Sequence, residues 1–121
     1  MKTLVSRTLL FLAFLAFWGL RNGLAQSTAA QRVALRVTDL TSQERDNLSL
    51  DLQKRGDLRI SFACVPAGIL ILEPINPERS ADSVRAMALG ALIARLPAQR
   101  RTEVALSLTE AEDLCAAARN H

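Results

Sequence analysis

Thiol and imidazole chemistry rests on three residues in this 121-residue chain: Cys64, Cys115 and His121. Cys64 stands in SFACVPAG, residues 61–68, at the end of an apolar run and just before a Pro-Ala-Gly turn. Four chemistries fit it. The first is a structural disulfide with Cys115, which suits an exported protein with two cysteines in its body. Such a bridge closes a loop of about fifty residues and in the chain-entropy model stabilises by roughly 4 kcal/mol. It requires the last helix to cross the open face of a sheet, so that the two Cα atoms come within about 7 Å. The second is a pair of separate buried thiols, since free cysteine packs as a small apolar side chain. The third is a soft-metal site of Cys64, Cys115 and His121. A closed zinc site wants four ligands in close sequence pairs, which these residues do not supply. The fourth is a cysteine nucleophile, which needs a base beside it. The only histidine is the last residue, where chains fray.

Other catalytic patterns are missing from the sequence. It holds no Gly-x-Ser-x-Gly, no phosphate-cradling glycine loop and no His-Glu-x-x-His. Acid-base work would fall to carboxylates. Glu73 and Glu103 are candidates by position, but nothing in the sequence pairs them. Glu110, Glu112 and Asp113 sit in a first helical turn, where acids favour the positive end of the helix dipole. The reading is therefore a protein without catalytic residues, cofactor or metal site.

The N-terminus points to export. Lys2 and Arg7 precede an uncharged apolar run over residues 8–20, and RNGLA ends in a small residue. That is the layout of a signal peptide over residues 1–25, with cleavage expected after Ala25. The run falls short of the ~20 residues a spanning helix needs, so no stable membrane anchor is expected after cleavage. Losing the leader removes Lys2, Arg7 and Arg21 and no acid, so the net charge of +3 falls to zero. Phe11, Phe14, Phe17 and Trp18 leave with it, and Phe62 is the one aromatic residue remaining. Single-strand binding needs stacking rings and a basic groove, so nucleic acid is excluded as a partner. The location read is periplasmic or secreted.

Residues 26–121 are enough for one domain. Val33, Leu35 and Val37 alternate with Ala34, Arg36 and Thr38, which predicts a half-buried strand. Thr41 and Glu44 form a capping box for a helix that Gly56 ends, with Leu48 and Leu52 on its inner stripe and Leu50 off it. A second strand places Ile60, Phe62 and Cys64 on one face and Arg59, Ser61 and Ala63 on the other. The Pro66–Gly68 turn leads into ILILEPI, apolar on both faces and so a central strand. Ser80 caps a helix expected to reach Leu96 before Pro97, with Val84, Met87, Ala88, Ala91 and Leu92 inward and Leu89, Ile93 and Leu96 widening that stripe. TEVALSL, residues 102–108, reads as a fourth strand with Val104, Leu106 and Leu108 on one face; the rival reading is one helix from Glu103 onward. Thr109 and Glu112 make a second capping box for a last helix ending near Asn120.

Strand, helix, strand, strand, helix, strand is the split βαβ plan of ferredoxin-like α+β domains. The final helix can cover the open face, where Ala34, Ser61, Ala63, Ala105 and Ser107 are expected to point. Residues 32–96, from RVALRVTDL through ERDNLSLDLQKRGDLRISFACVPAGILILEPI, resemble heavy-metal-associated domains in element order and spacing. The resemblance implies a Met-x-Cys-x-x-Cys loop binding a soft ion between the first strand and first helix. The matching stretch here, VTDLTSQER, has no cysteine and no methionine.

Three functions follow as expectations. The leading one is a small exported binding domain for a protein partner. The second is soft-metal handling through Cys64 and Cys115. The third is a structural piece that self-associates sheet to sheet.

Overall fold

The computed structural model describes residues 31–121; the expected signal peptide and its cleavage after Ala25 lie outside the described residues. Four strands form one antiparallel sheet: β1 (Val33–Val37), β2 (Leu58–Cys64), β3 (Ile69–Pro74) and β4 (Arg101–Val104). Their order across the sheet is β2-β3-β1-β4. Helices α1 (Ser42–Arg55), α2 (Ala81–Leu92) and α3 (Leu108–Arg119) complete the α+β domain. None of the described helices is long and apolar enough to cross a membrane.

Two apolar layers sandwich the sheet. Leu35, Val37, Leu70 and Leu72 face α1 and α2, where Leu48, Leu52, Val84, Ala88 and Leu92 meet them. Ala34, Ile69 and Ile71 face the other way and meet Ala111 and Cys115 of α3. The apolar-on-both-faces reading of β3 is thus correct: Ile69, Leu70, Ile71 and Leu72 are all buried.

The first helix matches its sequence signals. Thr41 Oγ1 accepts from the Glu44 amide at 3.1 Å, and Glu44 Oε2 accepts from the Thr41 amide at 3.0 Å. Gly56 ends the helix at φ 73°, a left-handed position that costs glycine little. Leu48 and Leu52 are buried and Leu50 is exposed, as the spacing predicts.

Expectations for β2, α2, β4 and the start of α3 need correction. In β2 the alternation breaks at a bulge between Ile60 and Phe62, which pair with Leu72 and Ile71. The extra residue, Ser61, donates its hydroxyl to the Ile71 carbonyl at 3.2 Å. The bulge keeps Ile60 and Ala63 on the α1/α2 side and turns Phe62 and Cys64 toward α3. Ile60, Phe62 and Cys64 therefore do not share a face, and Ala63 does not point to the α3 side.

α2 stops at Leu92, not Leu96. A tight turn, with the Arg95 amide bonded to the Leu92 carbonyl at 3.0 Å, drops Leu96 into the core. Leu89 and Ile93, expected to widen the buried stripe, are exposed.

β4 ends at Val104, and Val104 and Leu106, with Leu108 as the first residue of α3, join the apolar layer on the α3 side of the sheet rather than the α1/α2 side. Ser107, not Thr109, caps α3: its Oγ accepts from the Glu110 amide at 3.1 Å. Two overlapping Ser/Thr-x-x-Glu signals exist at 107–110 and 109–112. The earlier one prevails because it extends the helix and lets Leu108 pack on the sheet. The single helix from Glu103 onward is likewise replaced by β4 and α3.

Candidate functional site

The two cysteines meet. Cys64, last residue of edge strand β2, and Cys115, in the middle of α3, form a disulfide with Cα atoms 5.9 Å apart. α3 crosses the face as the bridge requires, and its buried residues are Ala111 and Cys115, four apart and on one helical face. In the disulfide neither sulfur is a thiolate, so neither can ligate a soft ion or attack a substrate. No group of three or more His, Cys, Asp or Glu side chains among the described residues is placed to hold a metal ion.

The remaining sequence candidates separate. Glu73 Oε1 accepts from Arg59 Nε at 2.6 Å, and its Oε2 accepts from Arg32 Nε at 3.3 Å. Glu103 accepts from Arg85 Nε at 3.1 Å, on the other side of the molecule's sheet order. Glu110 serves the cap of α3. Glu112, Asp113 and His121 are exposed. Glu73, Glu103 and Glu110 act as ion-pair and capping partners, and these carboxylates do not converge on a common point.

What does converge is the end of the sheet where β1 runs into α1 and β2 turns into β3. A groove of about 500 Å³ opens there, lined by Arg36, Thr38, Asp39, Ala67, Thr102 and their neighbours. Its walls are fixed by three devices. At the β2–β3 turn, Gly68 adopts φ 66° and lies so close to Val37 that a Cβ would run into the Val37 carbonyl oxygen. The Val37 amide donates to the Gly68 carbonyl at 2.7 Å, joining this turn to the end of β1.

The second device is Arg100, in the 3-10 turn Ala98–Arg100 that leads into β4. Its guanidinium donates to the Thr38 carbonyl from Nε at 3.1 Å and from Nη2 at 3.0 Å, and to the Asp39 carbonyl from Nη2 at 3.0 Å. It also holds both oxygens of Glu44, at 2.7 and 3.0 Å. Asp39 takes φ 56°, a left-handed backbone that aspartate tolerates better than most residues. The side-chain bond from Arg100, aided by the Thr41 amide, pulls the Glu44 carboxyl down to a pKa of about 2. Glu44 in turn raises the pKa of Arg100. The Arg100 guanidinium thus occupies the Thr38 and Asp39 carbonyls of the β1–α1 loop.

The third device is the disulfide, whose Cys64 directly precedes Val65 in the groove lining. Cross-strand register sets Cys64, Ile69, Arg36 and Thr102 in one row across β2, β3, β1 and β4. Cys64 and Ile69 in this row are buried under α3, whereas Arg36 and Thr102 are exposed.

In the sequence Arg36 is only one member of the Ala34/Arg36/Thr38 side of the first strand, and Arg100 lies in the short basic segment PAQRR. Neither has a local signal, because the partners of Arg100 lie 56 to 62 residues away. Comparison with protein-family models, with curated proteins and with solved structures finds no match to this chain.

Proposed function

We propose that this chain is a small exported domain with no catalytic role that binds a protein partner through the groove at the end of its sheet. The observation that carries the reading is the rigid framing of that groove. Gly68, Arg100 and the Cys64–Cys115 bridge brace backbone from the three stretches that line an open concavity. Loops positioned by a rigid scaffold are where binding residues concentrate.

The strand order β2-β3-β1-β4 and the intervening helices support a ferredoxin-like βαββαβ plan with α3 added over the open face. The likeness to heavy-metal-associated domains is taken as one of shape. The disulfide supports an oxidising, exported location, periplasmic or secreted.

Photo-crosslinking in cells that export the protein tests the reading. A benzophenone amino acid replaces Thr38 in the groove or, as a control, Leu50 on the exposed side of α1. A discrete adduct to another protein from position 38, absent from position 50, is expected. No adduct from position 38, or the same adducts from both positions, overturns the groove as a contact site.

A further inference from the structure

We infer that the groove recognises a single carboxylate on a partner peptide, with Arg36 as the residue that receives it; this rests on the binding-module reading above. Strand residues Arg59 and Arg101 both have partners, the Glu73 carboxylate at 2.6 Å and the Leu96 carbonyl at 3.0 Å. Arg36, in the same sheet, makes no ion pair and no side-chain hydrogen bond among the described residues. It projects from the face that α3 covers elsewhere, paired across the strands with buried Ile69 and with Thr102. It is exposed and lines the groove.

That setting favours an anion. A guanidinium presents a planar fork that matches a carboxylate with two parallel hydrogen bonds. Apolar neighbours on one side reduce screening by water and strengthen the pairing. Thr102, opposite Arg36, offers a hydroxyl donor beside it.

The groove also limits the anion. Asp39 lines it too, so the two charged side chains of the lining cancel. A polyanion such as a phosphate chain would be repelled by Asp39. One carboxylate followed by a donor or a cation satisfies both charges, and a short peptide with adjacent acidic and basic residues, bent so that both side chains face the groove, supplies that pair.

The test is an NMR titration of the exported, oxidised protein, reading the amides of residues 36–39, 66–68 and 102 and the Arg36 Nε–H. The probes are Ac-Gly-Glu-Lys-Gly-NH2, its Gln-Lys analogue, its Glu-Glu analogue and succinate. The Glu-Lys peptide is expected to shift these signals. The Gln-Lys peptide should bind at least about tenfold more weakly, the scale of one charge-assisted hydrogen bond. Arg36→Gln should weaken the Glu-Lys peptide to the same degree, and Arg36→Lys should recover part of the loss. Equal binding of the Glu and Gln peptides, an unchanged affinity in Arg36→Gln, or no shifts at all overturns the inference. Succinate or the Glu-Glu peptide binding as tightly as Glu-Lys overturns the paired-charge peptide as the ligand. Crosslinking from position 38 in the Arg36→Gln background separates the two readings. An adduct that persists there leaves the binding module standing and removes the carboxylate.

Discussion

Arg100 and Glu44 stand 56 residues apart in sequence and form a two-pronged ion pair, with Nη1 to Oε1 at 2.7 Å and Nη2 to Oε2 at 3.0 Å. The same Glu44 closes the capping box of α1, and the same Arg100 holds the Thr38 and Asp39 carbonyls. One carboxylate therefore couples a helix start, a loop and the approach to an edge strand.

This coupling sets an acid dependence. The folded-state pKa of Glu44 lies below its ordinary value of 4.5, at about 2. A depressed carboxylate contributes stability that is present above its unfolded pKa and lost as pH falls through the folded one. Urea midpoints should show Glu44→Gln less stable than wild type at pH 7. The gap should narrow from about pH 4.5 and close near pH 2. A gap that stays constant across this window refutes the coupling.

The two left-handed glycines should respond differently to alanine. Gly56 at φ 73° has open space around an added Cβ, so Gly56→Ala carries only the backbone strain, about 1 kcal/mol. Gly68 at φ 66° adds a clash with the Val37 carbonyl. Gly68→Ala should cost about 3 kcal/mol or more, because strain and a forced backbone shift combine. Urea unfolding of both variants checks the ordering, and equal losses contradict it.

α2 offers an inside–outside test. Leu92 is fully buried and Leu89 is 41 % exposed. Leu92→Ala should cost about 3 kcal/mol through the cavity it leaves, and Leu89→Ala within about 0.5 kcal/mol. Similar losses at both positions would mean that Leu89 is covered in solution.

The disulfide should govern α3 more than the rest. Alkylation of the unreduced protein should add no groups and alkylation after reduction two. The Cys64→Ser/Cys115→Ser double variant should lose about 2–5 kcal/mol. In that variant, hydrogen exchange should rise first in Leu108–Arg119, since Ala111 is the other fully buried residue of the helix. Protection lost equally from β1 and β3 would show that the bridge supports the whole sheet.

Much of this fold is legible in the sequence where local chemistry decides it. Thr41, Glu44 and Gly56 mark α1 because capping and left-handed termination are satisfied within a few residues. ILILEPI reads as central because burial on both faces leaves no polar alternation. The Cys64–Cys115 bridge is the leading one of four chemistries the sequence leaves open, favoured by cysteine count and the expected export, and its geometry depends on α3 crossing the sheet. What escapes is set by tertiary contacts. The bulge at Ser61 has no glycine or proline to announce it, and it reverses the facing of every residue after it. The end of α2 yields to the Leu96 burial and to Arg95, whose Nε reaches Asp51 at 2.6 Å. Arg36, in the groove lining, and Arg100, which braces the loop beside it, look like ordinary surface cations until distant strands are placed beside them.

The position of β1 has a consequence for the order of events during synthesis. β1 is the first strand to leave the ribosome, yet its neighbours in the sheet are β3 and β4. Residues 101–104 must emerge before its second edge can be occupied. The covalent ring from Cys64 to Cys115 contains β3 and β4 but not β1. An oxidant that acts early therefore tethers the two flanking strands while the strand between them is still free, and β1 must then slot into a gap within a closed loop. Nascent chains held unoxidised until β1 has docked avoid that threading step.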